Sequence, residues 1–294
     1  MTYAESVARL VRRLTDAGRT EDDSRRDVAV LARWRTGWTA AQWLVRTADA
    51  APADFESDLA PFVDRRARGE PIAYITGERE FYGRVFLVTQ DVLIPRPETE
   101  LVVEEALARL QDDPGRPRVP GAPPVVIDVG TGSGCLAVTL ALERPDARVV
   151  ATDLSGAALE IARENARRLG AERIEFRQGA LLAGATTPVD LIVSNPPYVA
   201  TADRASLPVD VVGYEPASAL FGGPDGLEII RALVPAAAAA LRPNGWLVME
   251  IGLGQRDDVR RLLEAGDRWS SIRFRPDLQQ IPRVVVARRR AEPR

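Results

Sequence analysis

The sequence predicts an α/β protein in which a doubly wound, mostly parallel sheet follows a small helical segment and a β-hairpin. Three observations support this fold class. From residue 125 onward, apolar runs typical of buried parallel strands alternate with helical patterns. The first of these strands enters a Gly-x-Gly-x-Gly turn at residues 130–134. Residues 1–80, in contrast, lack strand alternation and show apolar spacing typical of helices.

The N-terminal segment, residues 1–70, is predicted to be a helical domain. Helical spacing covers residues 6–14, 27–35 and 55–68, and Thr39 is placed to cap a further helix. Such a segment is either a stabilising extension or a surface on which a macromolecular substrate docks. The residues alone leave both interpretations open.

Residues 71–100 are predicted to form a β-hairpin and a proline-rich linker. Aromatic and β-branched residues surround Gly77 and Gly83, and Pro95 and Pro97 then keep the chain extended. A helix is expected at 101–110, and the Pro-, Gly- and Arg-rich stretch 114–124 is expected to be an exposed loop.

The domain at 101–294 carries the sheet. Its helices are expected at 135–142, 155–169 and 227–241, between successive strands. The end of the chain is expected to add an antiparallel pair. The predicted strands are 125–129, 148–152, 173–177, 190–194, 245–251, 271–275 and 283–287.

Polar or glycine residues follow three of the parallel strands. Gly130, Asp153 and Asn195 each stand at a strand's carboxyl end, so they are expected to meet in one crevice. An acid about 20 residues beyond a glycine turn is placed to bind ribose hydroxyls. The turn also satisfies a dinucleotide fingerprint, but Asp128 just before it favours S-adenosylmethionine over a nicotinamide cofactor.

The tetrapeptide Asn-Pro-Pro-Tyr at 195–198 is the most informative motif. Its prolines cannot donate backbone hydrogen bonds, and they hold the loop extended. The loop therefore offers carbonyl oxygens, an amide and an aromatic face to a planar group that carries NH2. It resembles the motif of S-adenosylmethionine-dependent methyltransferases that act on amide or exocyclic amino nitrogens.

Composition excludes several kinds of chemistry. The 294 residues include no histidine, and all 39 basic residues are arginine, so a histidine base, a phosphate-binding lysine and a Schiff base are excluded. One cysteine excludes an internal disulfide framework and a thiolate metal cluster. The formal net charge of −3 argues against binding nucleic acid by bulk electrostatics. We find neither a signal peptide nor a long apolar run, so a cytoplasmic protein without membrane association is expected.

Several segments together resemble the bacterial release factor glutamine methyltransferase family (HemK/PrmC-type). The most specific is Ile-Pro-Arg-Pro-Glu-Thr-Glu at 94–100, and the resemblance spans about residues 70–290. The other matching segments are 71–77, 79–83, 128–134, 194–198, 214–216 and 222–227.

The resemblance implies the Rossmann-like methyltransferase fold and methyl transfer from S-adenosylmethionine to the glutamine amide nitrogen (N5) of the Gly-Gly-Gln motif in peptide chain release factors. S-adenosylhomocysteine is then the product, and no metal is needed. Residues 1–70 are then expected to dock the release factor, because one glutamine side chain offers too little surface for selectivity, and we expect a monomer. The implied catalytic residues are Asn195, Pro196 and Tyr198, and the implied substrate-binding residues are these three together with Pro197. The implied cofactor-binding residues are Asp128, Gly130, Thr131, Gly132, Ser133, Gly134, Asp153, Ala180, Leu181 and Asn195.

Two segments depart from the family pattern. Residues 178–181 carry no acid, which leaves the adenine contacts open, and the turn within the hairpin at 277–283 lacks the Gly and Asp expected there. The roles of Arg96 and Glu98 also stay open. The rival functions are a nucleic-acid amino methyltransferase, a non-catalytic S-adenosylmethionine-binding module and, more distantly, a nicotinamide oxidoreductase.

Overall fold

The computed structural model describes residues 1–111, 122–183 and 188–291. The chain divides into two compact units, which we call the N-terminal unit (Met1–Glu78 with Pro208–Tyr214) and the sheet unit (Arg79–Leu207 with Glu215–Arg294). Most of the loop expected at 114–124 lies outside the described residues. In the parts of the chain that the structure describes, no helix is both long and apolar enough to cross a bilayer.

The helices and strands alternate from residue 125 much as the sequence predicts. The helices are α1 Tyr3–Asp16, α2 Glu21–Thr36, α3 Ala40–Arg46, α4 Phe55–Ala67, α5 Ile72–Thr76, α6 Glu100–Leu110, α7 Cys135–Glu143, α8 Gly156–Leu169, α9 Val209–Tyr214, α10 Ala217–Leu220, α11 Glu228–Ala240 and α12 Arg256–Glu264. The strands are β1 Glu78–Phe81, β2 Arg84–Leu87, β3 Val125–Val129, β4 Arg148–Asp153, β5 Glu175–Gln178, β6 Val189–Ser194, β7 Leu241–Glu250, β8 Trp269–Pro276 and β9 Pro282–Arg289.

The N-terminal unit is helical because its helices begin at efficient caps and share one apolar core. The hydroxyls of Thr2, Thr20 and Thr39 each accept a backbone N–H of the first turn. The core is built on fully buried leucines and an edge-to-face aromatic cluster around Tyr3. Helix α9, from much later in the chain, joins this unit through an ion pair of 3.5 Å between Asp210 and the buried Arg66.

The hairpin is shorter than the sequence predicts. Residues 72–76 form helix α5 instead of strand, because Pro71 begins a helical turn and Gly77 ends it with a φ of 75°. Strands β1 and β2 follow, joined by Tyr82 and Gly83, whose φ angles of 51° and 70° suit a tight hairpin turn.

The sheet unit contains a seven-stranded sheet in the order β5-β4-β3-β6-β7-β9-β8. The first five strands in this order are parallel, and β9 lies antiparallel between β7 and β8. Alternate residues of β3, β4, β6, β7 and β9 enter two separate cores, so that Val126 packs beneath α6 and α7 while Ile127 packs beneath α11 and α12. The predicted doubly wound α/β fold and the antiparallel end are confirmed.

Candidate active site

The carboxyl ends of β3, β4 and β6 lie side by side. In the parallel register, Val129 pairs with both Thr152 and Ser194, so the three loops that follow these strands emerge together. They open onto a cavity of 370 Å³ in the sheet unit, large enough for a nucleoside-sized ligand. The sequence-predicted residues that line it are Gly130, Thr131, Gly132, Ser133, Asp153, Ala180, Leu181, Asn195, Pro196 and Pro197.

The glycine turn is held from behind by Asp128. This fully buried carboxylate accepts hydrogen bonds from the Thr131 hydroxyl (2.7 Å) and from the backbone N–H of Ala137 (3.1 Å). Burial raises its pKa to about 7. Asp128 is not among the residues that line the cavity. Its hydrogen bonds hold the turn in shape, and Asp128 itself forms no part of the cavity wall.

Three glycines give the turn a backbone that other residues adopt poorly. Gly130, Gly132 and Gly134 have φ angles of 72°, 54° and 81°. A Cβ added at Gly134 would lie 3.1 Å from the Cβ of Ala162, so this glycine also lets α7 approach α8. It lies behind the cavity wall and does not line the cavity.

Asp153 ends β4 with its carboxylate facing the glycine turn. One oxygen accepts the backbone N–H of Gly132 and the other accepts that of Ser155, both at 2.9 Å. Each carboxylate oxygen has two lone pairs, so both can accept a further bond from a ligand hydroxyl. The two backbone bonds fix the direction of those remaining lone pairs.

The loop after β5 forms an apolar part of the cavity wall. Ala180 and Leu181 line it, and the Leu181 carbonyl accepts a hydrogen bond of 2.7 Å from the Thr152 hydroxyl. Leu181 has a φ of 48°, which is strained for a branched side chain. The Thr152 bond and the packing of the Leu181 side chain against the core hold this conformation.

The Asn-Pro-Pro-Tyr loop lies on a buried carboxylate that sequence reasoning did not assign to the site. Asn195 Nδ2 donates to the Thr99 hydroxyl (3.0 Å), which donates to Glu250 Oε2 (2.6 Å). The Tyr198 hydroxyl donates to Glu250 Oε1 (3.0 Å). Burial raises the pKa of Glu250 to about 7, and burial together with the neighbouring Glu250 also raises the pKa of Tyr198. Tyr198 therefore supports the loop from behind and is not a cavity-lining residue.

A second loop presses against the back of Asn-Pro-Pro-Tyr. A Cβ at Gly222 would lie 2.4 Å from the Pro197 carbonyl oxygen, and one at Gly226 would lie 2.2 Å from that of Tyr198. Gln255 Nε2 donates to the Tyr198 carbonyl (2.9 Å) and to that of Gly226 (3.2 Å). Glycines at 222 and 226 thus allow this loop to contact the Asn-Pro-Pro-Tyr backbone, which is a physical reason for glycine at both positions of the segment 222–227.

The proline-rich linker forms another wall of the cavity. Glu215, 5% exposed, accepts the backbone N–H of Ile94 (3.3 Å) and pairs with Arg96 (2.5 Å). Pro95 and Thr99 line the cavity on this side. The linker pairing could not be recognised in the sequence, since the two partners lie 119 residues apart.

Comparison with known proteins gives two kinds of match. Residues 119–210 match the methyltransferase small domain family, and residues 5–77 match the PrmC N-terminal domain family. Over 289 residues the chain is 42% identical to the release factor glutamine methyltransferase of Cereibacter sphaeroides, covering 98% of this chain and 99% of that protein. The protein of the same name from Moorella thermoacetica is 41% identical over 302 residues, covering 99% of this chain and all of that protein (100%).

Solved structures share the fold at low sequence identity. A methyltransferase from Pyrococcus furiosus superposes with a TM-score of 0.52 at 16% identity, covering 77% of this chain and 97% of that one. A human methyltransferase 10 domain containing protein gives 0.50 at 15% identity, covering 71% and 90%. These likenesses support the Rossmann-like methyltransferase fold alone.

Proposed function

The chain belongs to the release factor glutamine methyltransferase family, and on that premise we propose that it methylates the side-chain amide nitrogen of the Gly-Gly-Gln glutamine in peptide chain release factors, with S-adenosylmethionine as methyl donor. One observation carries the proposal to particular atoms. Asn195 gives its Nδ2 to Thr99, while its Oδ1 has no hydrogen-bond partner within the described ranges. An acceptor is thus available at the cavity wall for a substrate N–H.

The cavity fits the methyl donor. Asp153 supplies acceptors for two ribose hydroxyls, the turn at Gly130 and Gly132 lets the backbone approach closely, and Ala180 and Leu181 offer apolar surface to the adenine. The absence of an acid at Ala180 means that adenine recognition depends on shape and backbone groups there. When bound, S-adenosylmethionine supplies an electrophilic methyl group.

The substrate amide nitrogen is a weak nucleophile, since its lone pair is delocalised into the carbonyl. Asn195 Oδ1 and the Pro196 carbonyl oxygen accept its two N–H bonds, which fixes the nitrogen and favours its pyramidal form. Orientation and preorganised acceptors supply most of the acceleration. The surplus proton leaves to water, so neither histidine nor lysine is required.

The direct test of the proposal uses radiolabelled S-adenosylmethionine and purified release factors. Label should enter the release factor and disappear when its Gly-Gly-Gln glutamine is replaced by alanine. Transfer RNA, ribosomal RNA and duplex DNA serve as competing acceptors. Label in a nucleic acid instead of the protein would favour the amino methyltransferase alternative, and S-adenosylmethionine binding without transfer to any acceptor would favour the non-catalytic one.

Asp153→Ala should weaken S-adenosylmethionine binding by about 2 kcal/mol, or roughly 30-fold, the scale of charged hydrogen bonds to ribose. Titration calorimetry measures this directly. Asp146→Ala is the matched control, because it removes an exposed carboxylate just before the opposite end of the same strand. Equal dissociation constants for the two variants would refute the ribose assignment.

We also propose that the N-terminal unit docks the release factor. One glutamine side chain offers too little surface for selectivity, so a second, larger contact must supply it. Helix α3 exposes two consecutive apolar residues, Leu44 and Val45, to 77% and 80%. Apolar side chains at this exposure are candidates for such a contact.

The double substitution Leu44→Asp and Val45→Asp should lower kcat/KM for an intact release factor about 10-fold or more. Its kcat/KM for a short Gly-Gly-Gln peptide should stay unchanged, since the peptide needs only the cavity. Val85→Asp, at an exposed apolar position of the sheet unit, is the control. Equal losses on protein and peptide would exclude this helix as a docking surface.

The finer features of the proposal are a monomeric state, action in the cytoplasm where release factors work, and no binding to nucleic acid or membrane. The formal net charge of −3 supports the lack of nucleic-acid affinity. Light scattering with size exclusion tests the monomer.

A further inference from the structure

We propose that Thr99 and Glu250 are positioning residues that determine which end of the Asn195 side chain faces the substrate. The inference rests on the proposed function, in which Asn195 Oδ1 accepts a substrate N–H. It adds two residues, from different elements, that need not touch the substrate themselves. Their role follows from the direction of each hydrogen bond in the buried group beneath the loop.

Glu250 is the fixed end of this group. It ends β7 and is 1% exposed, and each of its two oxygens accepts a hydroxyl: Oε2 that of Thr99 (2.6 Å) and Oε1 that of Tyr198 (3.0 Å). A hydroxyl has only one proton. Both hydroxyl protons are therefore committed to the carboxylate.

Thr99 transmits that commitment to Asn195. Since the Thr99 hydroxyl proton points at Glu250, its oxygen can only accept towards Asn195, and Nδ2 donates to it at 3.0 Å. A flipped amide would set Asn195 Oδ1 against the lone pairs of Thr99, and both groups would lose a partner in a buried site. The amide is thus held with Oδ1 available to the cavity.

The Tyr198 bond secures the other end of the same loop. Asn195 and Tyr198 bracket the two prolines, and both connect to Glu250, one through Thr99 and one directly. The Glu250 carboxylate therefore fixes both the orientation of the Asn195 amide and the position of the Asn-Pro-Pro-Tyr loop relative to β7. Thr99 and Asn195 lie 96 residues apart in sequence, and Thr99 and Glu250 lie 151 apart.

The arrangement requires an ionised carboxylate. A proton on Oε2 must be donated to Thr99, which frees the Thr99 hydroxyl proton and removes the preference for one amide orientation. A proton on Oε1 displaces the Tyr198 hydroxyl instead and releases the other end of the loop. Charged or titratable groups around Glu250 and its partners come from several elements. Glu98 raises the pKa of Glu250 and Arg283 lowers it, Arg96 lowers the pKa of Tyr198, and Glu250 itself raises the pKa of Cys135. With burial dominant, the pKa of Glu250 lies near 7.

Thr99→Val, which keeps the shape but removes the hydroxyl, should lower kcat about 10- to 100-fold, the effect of losing one aligned hydrogen bond in the reacting complex. KM and the dissociation constant of S-adenosylmethionine should change less than about 3-fold. Thr99→Ser restores the hydroxyl and should recover most of the rate. A Val variant as active as the wild type, or a Ser variant as slow as Val, would overturn the proposal.

The dependence of kcat on pH distinguishes a Glu250 that orients the Asn195 amide from one that only fills space beneath the loop. The wild-type kcat should fall as the pH drops through about 7, because Glu250 gains a proton there. Glu250→Gln should be slower at pH 8 and should lose this acidic limb. An unchanged limb in the Gln variant would assign the titration to another group, such as Asp128, and would contradict the role given to Glu250.

A spectroscopic measurement needs no substrate. The side-chain NH2 signals of Asn195, identified by their loss in Asn195→Ala, should shift with pH around 7 in the wild type and lose this dependence in Thr99→Val. If the signals do not shift in this way, Glu250 and Thr99 do not orient the Asn195 amide, even if the enzyme is active. If the signals shift as expected but no release factor is methylated, the orienting role stands and the proposed substrate is wrong.

Discussion

Asn195→Ala is expected to lower the rate of glutamine methylation by about 10²–10³-fold, the scale for loss of one preorganised acceptor in a transition state. The substitution removes Oδ1, which we assign to one substrate N–H, together with the Nδ2 contact to Thr99. Binding of S-adenosylmethionine should stay within a few fold, since we assign the ribose and adenine contacts to Asp153, Ala180 and Leu181, which line the cavity. Single-turnover transfer and calorimetry measure the two quantities separately.

Asn195→Gln makes this experiment sharper. It keeps the amide but adds a methylene, so the acceptor is displaced while polarity is retained. A displacement of about 1 Å can cost on the order of 10²-fold in rate, and the Gln variant should therefore be nearly as slow as Ala. If cofactor affinity fell in parallel with the rate, Asn195 would be a cofactor ligand, and our assignment of its Oδ1 to a substrate N–H would be wrong.

Gly226→Ala is expected to produce the largest combined loss of stability and rate. Its φ of 74° is unfavourable for alanine, and the new Cβ would lie 2.2 Å from the Tyr198 carbonyl oxygen and 3.0 Å from the backbone nitrogen of Ala200. Backbone atoms cannot rotate away as a side chain could, so the Asn-Pro-Pro-Tyr loop must shift. We expect a loss of about 3 kcal/mol in unfolding free energy, from left-handed strain and overpacking together.

The chain offers a matched control for Gly226. Gly170, at the end of α8, has a nearly equal φ of 79°, but a Cβ added there would meet nothing within 4 Å. Gly170→Ala should cost only about 1 kcal/mol and leave methyl transfer unchanged. Gly226→Ala should also reduce the rate at least about 10²-fold, because the Asn-Pro-Pro-Tyr loop carries the substrate acceptors that we propose. Equal unfolding free energies and rates for the two variants would show that the close approach is unimportant.

Local patterns predicted much of the sheet unit. The apolar runs of β3, β4 and β6 are buried on both sides, so their composition alone identifies them as parallel strands. Helices Cys135–Glu143 and Gly156–Leu169 follow from apolar spacing within single segments. The convergence of the strand ends could also be predicted, because all carboxyl ends of a parallel sheet share one edge.

Other elements could not be predicted in this way. The short helix Val209–Tyr214 joins the N-terminal unit, although it follows most of the sheet in sequence. Its contacts with the remote Arg66 and Arg68 decide its place, and no local spacing encodes them. Residues 72–76 have aromatic and β-branched side chains but form a helix, since the flanking Pro71 and Gly77 fix a single turn.

Local sequence is enough to define the α/β class and the residues at the strand ends, since burial and turn geometry depend on neighbours a few positions apart. The direction of the Asn195 amide follows from tertiary contacts alone. It depends on Thr99, which lies 96 residues from Asn195 in sequence, and on Glu250, which lies 151 residues from Thr99. Hydrogen-bond direction is a property of atoms in contact, and it leaves no periodic signal along the chain. The same reason hides the contact of Gly222 and Gly226 with the loop until the backbones are packed.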